Sequence, residues 1–124
     1  MARLALTVQD ILPGYPTTLP LVAGSADFVW TTAGADFADG ASFTLTGREI
    51  LLVRNDNVGA QTVTVDSVVD KYGRTGPITA YSMAAADYVI LPVFPTEGWK
   101  QTTNLLHFEA SAADVFFAVL RMPE

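Results

Sequence analysis

Few residues in this chain have the types and spacing that reactive chemistry requires. His107 is the single histidine, and in Leu106-His107-Phe108-Glu109 it shares a strand face with Glu109, opposite Leu106 and Phe108. An imidazole beside a carboxylate is half of a general-base pair. No cysteine is available as a nucleophile, and Gly24-Ser25 is not embedded in a G-x-S-x-G elbow. The expectation is therefore a solvated strand face and no enzymatic activity. Two oxygen-rich turns come next, Asp36 with Asp39-Gly40, and Asn55-Asp56-Asn57. Calcium takes six to eight oxygen ligands, and neither turn has EF-hand spacing or its closing glutamate. Asx residues in turns commonly hydrogen-bond their own backbone, so no metal or other cofactor is expected. Trp30, Trp99 and Tyr72 are flat rings near turns, suited to stacking on sugars or to anchoring an interface. Glu97-Gly98-Trp99-Lys100 reads as a turn that either presents or tucks in its indole. Phosphate loops, dinucleotide fingerprints and metal-ligand spacings are missing.

The elements that must position these side chains are strands. Short apolar or alternating runs recur every 8–12 residues between turn residues, which is the all-β signature. Phe43 and Leu45 alternate with Ser42, Thr44 and Thr46, and Val63 and Val65 alternate with Thr62, Thr64 and Asp66. Further strands are expected over 50–53, 78–83, 88–91, 105–110 and 115–121, the last two paired across Ser111-Ala112-Ala113-Asp114. The architecture this predicts is a two-sheet β-sandwich of about eight strands, connected as a jelly roll or as an Ig-like Greek key. Pro13, Gly14, Pro16 and Pro20 exclude helix and central strand early in the chain. Residues 1–24 are thus expected to be an extended N-terminal arm or first strand, and residues 25–124 the sandwich, which should fold without residues 1–20.

Composition bounds the partners. The 124 residues are 50% hydrophobic and only 16% charged, against about 25% in soluble domains. A net charge of -6 with scattered basic residues gives no stripe for phosphate neutralisation, so nucleic acid is not expected. No apolar run reaches signal-peptide length or the ~18 residues of a membrane span, so neither export by that route nor a membrane is expected. A chain this apolar with so few charges should have part of its surface covered.

Three strands show where. A two-layer sandwich buries one face of each strand, so its strands should alternate. Ile50-Leu51-Leu52-Val53, Tyr88-Val89-Ile90-Leu91 and the run Val115 to Met122 are instead apolar on both faces. Contiguous apolar surface of this kind marks a subunit or partner interface. The residues expected in it are Leu4, Leu6, Val8, Ile11, Leu12, Tyr15, Leu19 and Leu21 of the arm, together with Leu51, Val53, Phe116, Leu120 and Trp99.

Several segments also carry a resemblance. Gly47-Arg48-Glu49-Ile50-Leu51-Leu52-Val53-Arg54-Asn55, Thr62 to Ser67 running into Asp70-Lys71-Tyr72-Gly73-Arg74-Thr75-Gly76, Phe94 to Gln101, and Leu106-His107-Phe108-Glu109-Ala110 through Arg121 resemble small structural proteins of tailed-phage head modules. The likeness spans residues 47–122 and rests on β-turn patterns rather than reactive groups. It implies a virion protein that decorates and stabilises the capsid exterior without catalysis and is made in the host cytoplasm. The implied partners are the major capsid protein and further copies of the chain, as a homo-oligomer such as a trimer or as neighbours on the shell. The alternative is a carbohydrate-binding sandwich on a virion or tail surface, using Trp99, Trp30 or Tyr72.

Overall fold

A computed structural model of the chain describes residues 3–10, 29–101 and 103–122. Its strands are β1 (Leu4–Ala5), β2 (Gln9–Asp10), β3 (Thr31–Thr32), β4 (Ala41–Thr44), β5 (Glu49–Asn55), β6 (Gln61–Val65), β7 (Ile78–Met83), β8 (Tyr88–Ile90), β9 (Leu105–Ala110) and β10 (Val115–Arg121), with one 3-10 turn at Phe37–Asp39. They form two sheets packed face to face, as the alternating strands require. Sheet A has the order β1-β4-β9-β6-β7, and sheet B the order β2-β10-β5-β8 with β3 also beside β10. From β3 onward the chain changes sheet at every link except β6–β7, so that β4-β9-β6-β7 face β3-β10-β5-β8. That interleaving is the jelly-roll connection.

The core lies between the sheets. Phe43 of β4, Phe108 of β9 and Phe117 of β10 stack in series, with centroids 5.8 Å and 4.8 Å apart, and the second contact bridges sheet A to sheet B edge-to-face. Leu51, Val53, Val63, Val65, Leu106 and Val119 fill the space around them. Complete burial of side chains this size stabilises the fold by about 1.5–3 kcal/mol each.

One expectation is corrected. Strands β9 and β10 do not pair with each other: β9 joins β4 and β6 in sheet A, while β10 joins β5 in sheet B. Their connection is an arch, tied to sheet A by Ser111 N–H on the Thr62 carbonyl and to the end of β5 by Asp56 N–H on the Asp114 carbonyl. Over residues 3–10 the N-terminal segment is extended and pairs as short strands with both sheets. Leu4 and Ala5 run parallel to Ala41 and Ser42, and Gln9 and Asp10 run parallel to Leu120 and Arg121, so the segment crosses from one sheet to the other. Its side chains Leu4, Leu6 and Val8 pack against the core. The arm positions Ile11, Leu12, Tyr15, Leu19 and Leu21 lie outside the described residues.

Candidate functional site

The three strands with two apolar faces are neighbours. Strands β10, β5 and β8 are consecutive in sheet B, so their second faces merge into one outer surface. Register aligns Ile90, Leu52 and Ala118 in one row, Tyr88, Arg54 and Phe116 in the next, and Ile50 beside Leu120. Tyr88 and Ile90 are 66% and 73% exposed, while Ile50, Leu52, Phe116 and Leu120 are half-buried. The outer face of sheet A is different in kind. Its outward positions carry Thr44, Thr62, Thr64, His107 and Glu109, with Ser42 buried among them and Leu105 half-buried as the one large apolar side chain of β4, β6 and β9 there.

Strand β5 decides which of its faces points outward, and the polar residues mislead. Glu49, Leu51, Val53 and Asn55 share one face and are all fully buried, so Leu51 and Val53 belong to the core and not to the expected interface. Glu49 is tolerated there because its carboxylate accepts hydrogen bonds from Thr46 N–H (2.6 Å), Thr46 Oγ1 (2.6 Å), Gly47 N–H (3.2 Å) and Arg121 Nε (2.9 Å). Burial pushes this carboxyl up, but those donors together outweigh it and hold Glu49 below the ordinary carboxylate range. Asn55 donates Nδ2 to the carbonyls of Gly59, Met83 and Ala84 and accepts Asn57 N–H, fastening the β5–β6 and β7–β8 connections together at one end of the sandwich. Two residues that look solvent-facing in sequence are thus structural hubs.

The outer residue of β5 that stands out is Arg54. Its guanidinium carbon lies 4.2 Å from the Phe116 ring centroid and 5.2 Å from that of Trp30, and Trp30 in turn meets Tyr88 edge-on at 6.1 Å. The Arg54 Nε is buried without a hydrogen-bond partner among the described residues. A buried N–H lacking an acceptor costs about 1–3 kcal/mol, a cost comparable to what two ring contacts of about 0.5–1 kcal/mol each return.

On sheet A, Arg3 forms an ion pair with Glu109 and reaches Asp66 at 3.5 Å. Its Nη1 also approaches the Phe108 carbonyl at 3.4 Å. Gly40 lies directly beneath, at φ 82° and ψ -177°, a backbone region reserved for glycine, where any Cβ would collide with the Arg3 guanidinium. Burial raises the Glu109 carboxyl, Arg3 opposes that, and Asp66 raises it again. Burial, and then Arg3, lower the His107 imidazole against an opposing pull from Asp66. The Glu109 carboxylate beside His107 is therefore committed to fastening the N-terminal segment.

The remaining candidates are loop residues. Asn57 Oδ1 accepts Gly59 N–H and its Nδ2 donates to both oxygens of Asp114, the self-bonding expected of Asx turns. Asp36 precedes the 3-10 turn and Asp39 is its last residue, and no cluster of three His, Cys, Asp or Glu that could hold a metal ion occurs among the described residues. Trp99 is tucked in, half-buried, with its ring 4.6 Å from Phe94. It borders an open cleft of about 260 Å³ lined also by Ser67, Asp70, Arg74 and Glu97. The hydrogen bond from Arg74 N–H, opposed by desolvation and joined by the bond from Tyr72 N–H and the Arg74 side chain, holds Asp70 below its ordinary value, so that carboxylate serves its own loop. Tyr72 is 69% exposed beneath Arg74 and Lys71.

Of the expected interface residues, Phe116 and Leu120 lie on the outer face of sheet B, whereas Leu4, Leu6, Val8 and Trp99 pack inward. Sequence reasoning assigned Ile50, Leu52, Tyr88 and Ile90 to two-faced strands without selecting them, and passed over Arg54. The signal for Arg54 is a lone charge within an apolar strand face. Comparison of the chain with protein-family models, with curated proteins and with solved structures finds no match.

Proposed function

We propose that this chain is a non-catalytic structural protein that attaches to the outside of a tailed-phage capsid and stabilises it, using the outer face of sheet B as its contact surface. One observation carries the contact surface: three adjacent strands are apolar on the side away from the core, while the opposite sheet is polar on its outer side. The resemblance over residues 47–122 supplies the assembly. A jelly roll hosts capsid and lectin domains alike, so the fold does not choose between the decorating role and a carbohydrate module. The acidic balance suits an exterior position away from packaged DNA.

The test is co-sedimentation of the purified chain with expanded shells prepared without it from the source phage, followed by heating of the shells. Wild-type protein should pellet with the shells and raise the temperature at which they open. Ile90→Asp, on the outer face of sheet B, should abolish both effects, and Thr64→Lys, on sheet A, should leave both intact. No pelleting of the wild type, or equal pelleting of Ile90→Asp, would falsify the proposal.

A further inference from the structure

Among the described residues, the arginines of this chain divide into those with a hydrogen-bond or ion-pair acceptor and one whose Nε has none. Arg3 pairs with Glu109 and Asp66, Arg74 with Asp70, Arg121 with Glu49, and Arg48 donates to the Met122 carbonyl. Arg54 makes no ion pair among the described residues, and its Nε lacks an acceptor. It is also the only charged side chain at the outward positions of β5, β8 and β10. Two aromatic rings lie against its guanidinium, Phe116 at 4.2 Å and Trp30 at 5.2 Å, and rings accept no in-plane N–H bond of the kind a carboxylate accepts, so its donors keep that capacity. An in-plane fork of N–H donors matches a carboxylate.

We propose that Arg54 is the specificity anchor of the outer face of sheet B, and that its occupant is a carboxylate side chain, Asp or Glu, flanked by apolar residues on the partner protein. The inference rests on the reading of that face as a contact surface. Charge complementarity identifies the occupant: one cation set among Trp30, Tyr88, Phe116, Leu52 and Ile90 suits one anion with apolar neighbours. A phosphate backbone would call for several cations. Low surrounding polarity strengthens the pair, and the aromatic and arginine composition is that of an interface hot spot.

The probe is a pair of capped peptides, acetyl-Leu-Glu-Leu-amide and acetyl-Leu-Gln-Leu-amide, titrated into the full-length ¹⁵N-labelled chain. The Arg54 Nε–H and Trp30 Nε1–H resonances should shift saturably with the glutamate peptide, and at least about tenfold more weakly with the glutamine peptide. Arg54→Lys, which keeps the charge but loses the planar fork, should lose the response while its amide spectrum shows an intact fold. Equal responses to both peptides, or none up to about 10 mM, where even a millimolar Kd nears saturation, overturn the anchor. The shell assay separates the two ideas. Loss of binding by Ile90→Asp with full retention by Arg54→Gln overturns the anchor and leaves the contact face; retention by both variants overturns both.

Discussion

Two glutamates on opposite sheets have opposite relations to acid. Glu49 is held below its unfolded value by four donors, so in the window between the two values the unfolded state binds more protons. Its contribution is complete at neutral pH and is lost as pH falls through the ordinary carboxylate range and below. Glu109 is held above its unfolded value, so within its own window falling pH favours the folded state. The depressed His107 acts in the same sense as Glu49, because the unfolded imidazole takes up its proton first on acidification. Measured on the whole protein these trends overlap, and a variant isolates one of them. Glu49→Ala removes the acceptor shared by the partly exposed donors of Thr46, Gly47 and Arg121 and should cost about 1.5–3 kcal/mol at pH 7. Glu49→Gln should cost less, and its deficit relative to wild type should shrink as pH drops below about 4. Urea midpoints at neutral and acidic pH check this, and a deficit that does not change with pH would mean that Glu49 is not ionised in the fold.

At the scale of elements, the N-terminal strands give the clearest consequence. Strand β1 extends sheet A, β2 extends sheet B, and Leu4, Leu6 and Val8 between them cover the core. Half-burial of such side chains contributes about 1 kcal/mol each, so removing residues 1–10 should lower the unfolding free energy by about 3–5 kcal/mol once the lost strand pairing is added. Denaturant unfolding of the truncated chain against wild type measures it, and unchanged stability would show that the segment only rests on the sandwich. This integration was hard to read in sequence because two-residue strands carry no period, and Pro13 to Pro20 made the whole region look extended. The alternating strands β4, β6 and β9 were legible, since their hydroxyls and charges lie on the solvent side. The two-faced strands were legible as two-faced, but the inward side of β5 was not. Glu49 and Asn55 share the side of Leu51 and Val53, and polarity alone points that side outward. Only the tertiary hydrogen bonds that satisfy both residues reverse it. In the same way, a four-residue connection at 111–114 suits a hairpin and an arch equally, and the choice is made by which carbonyls Ser111 and Asp56 reach.

For the whole molecule, the consequence is an asymmetric particle with one hydrated sheet and one apolar sheet. Four strands spaced about 4.8 Å apart, the longest of seven residues at about 3.3 Å per residue, give the outer face of sheet B a footprint of roughly 400 Å². Stable isolated complexes bury about 800 Å² on each partner, so this face alone should support only weak pairing in solution. On a lattice that offers many equivalent sites, contacts between neighbouring copies add avidity to each weak attachment. The purified chain should therefore sediment near its monomer mass of 13.3 kDa when dilute and gain mass only at high concentration. Sodium sulfate should promote that gain more than sodium chloride at equal ionic strength, because both salts screen the repulsion between copies of charge -6 while sulfate also strengthens apolar burial. Ile90→Asp should remove the sulfate-dependent increment, since it places a charge at the most exposed apolar position of the face. Sedimentation equilibrium in the two salts distinguishes the cases: an increment equal in both salts would assign association to charge screening alone, and one that survives Ile90→Asp would place the contact on another surface.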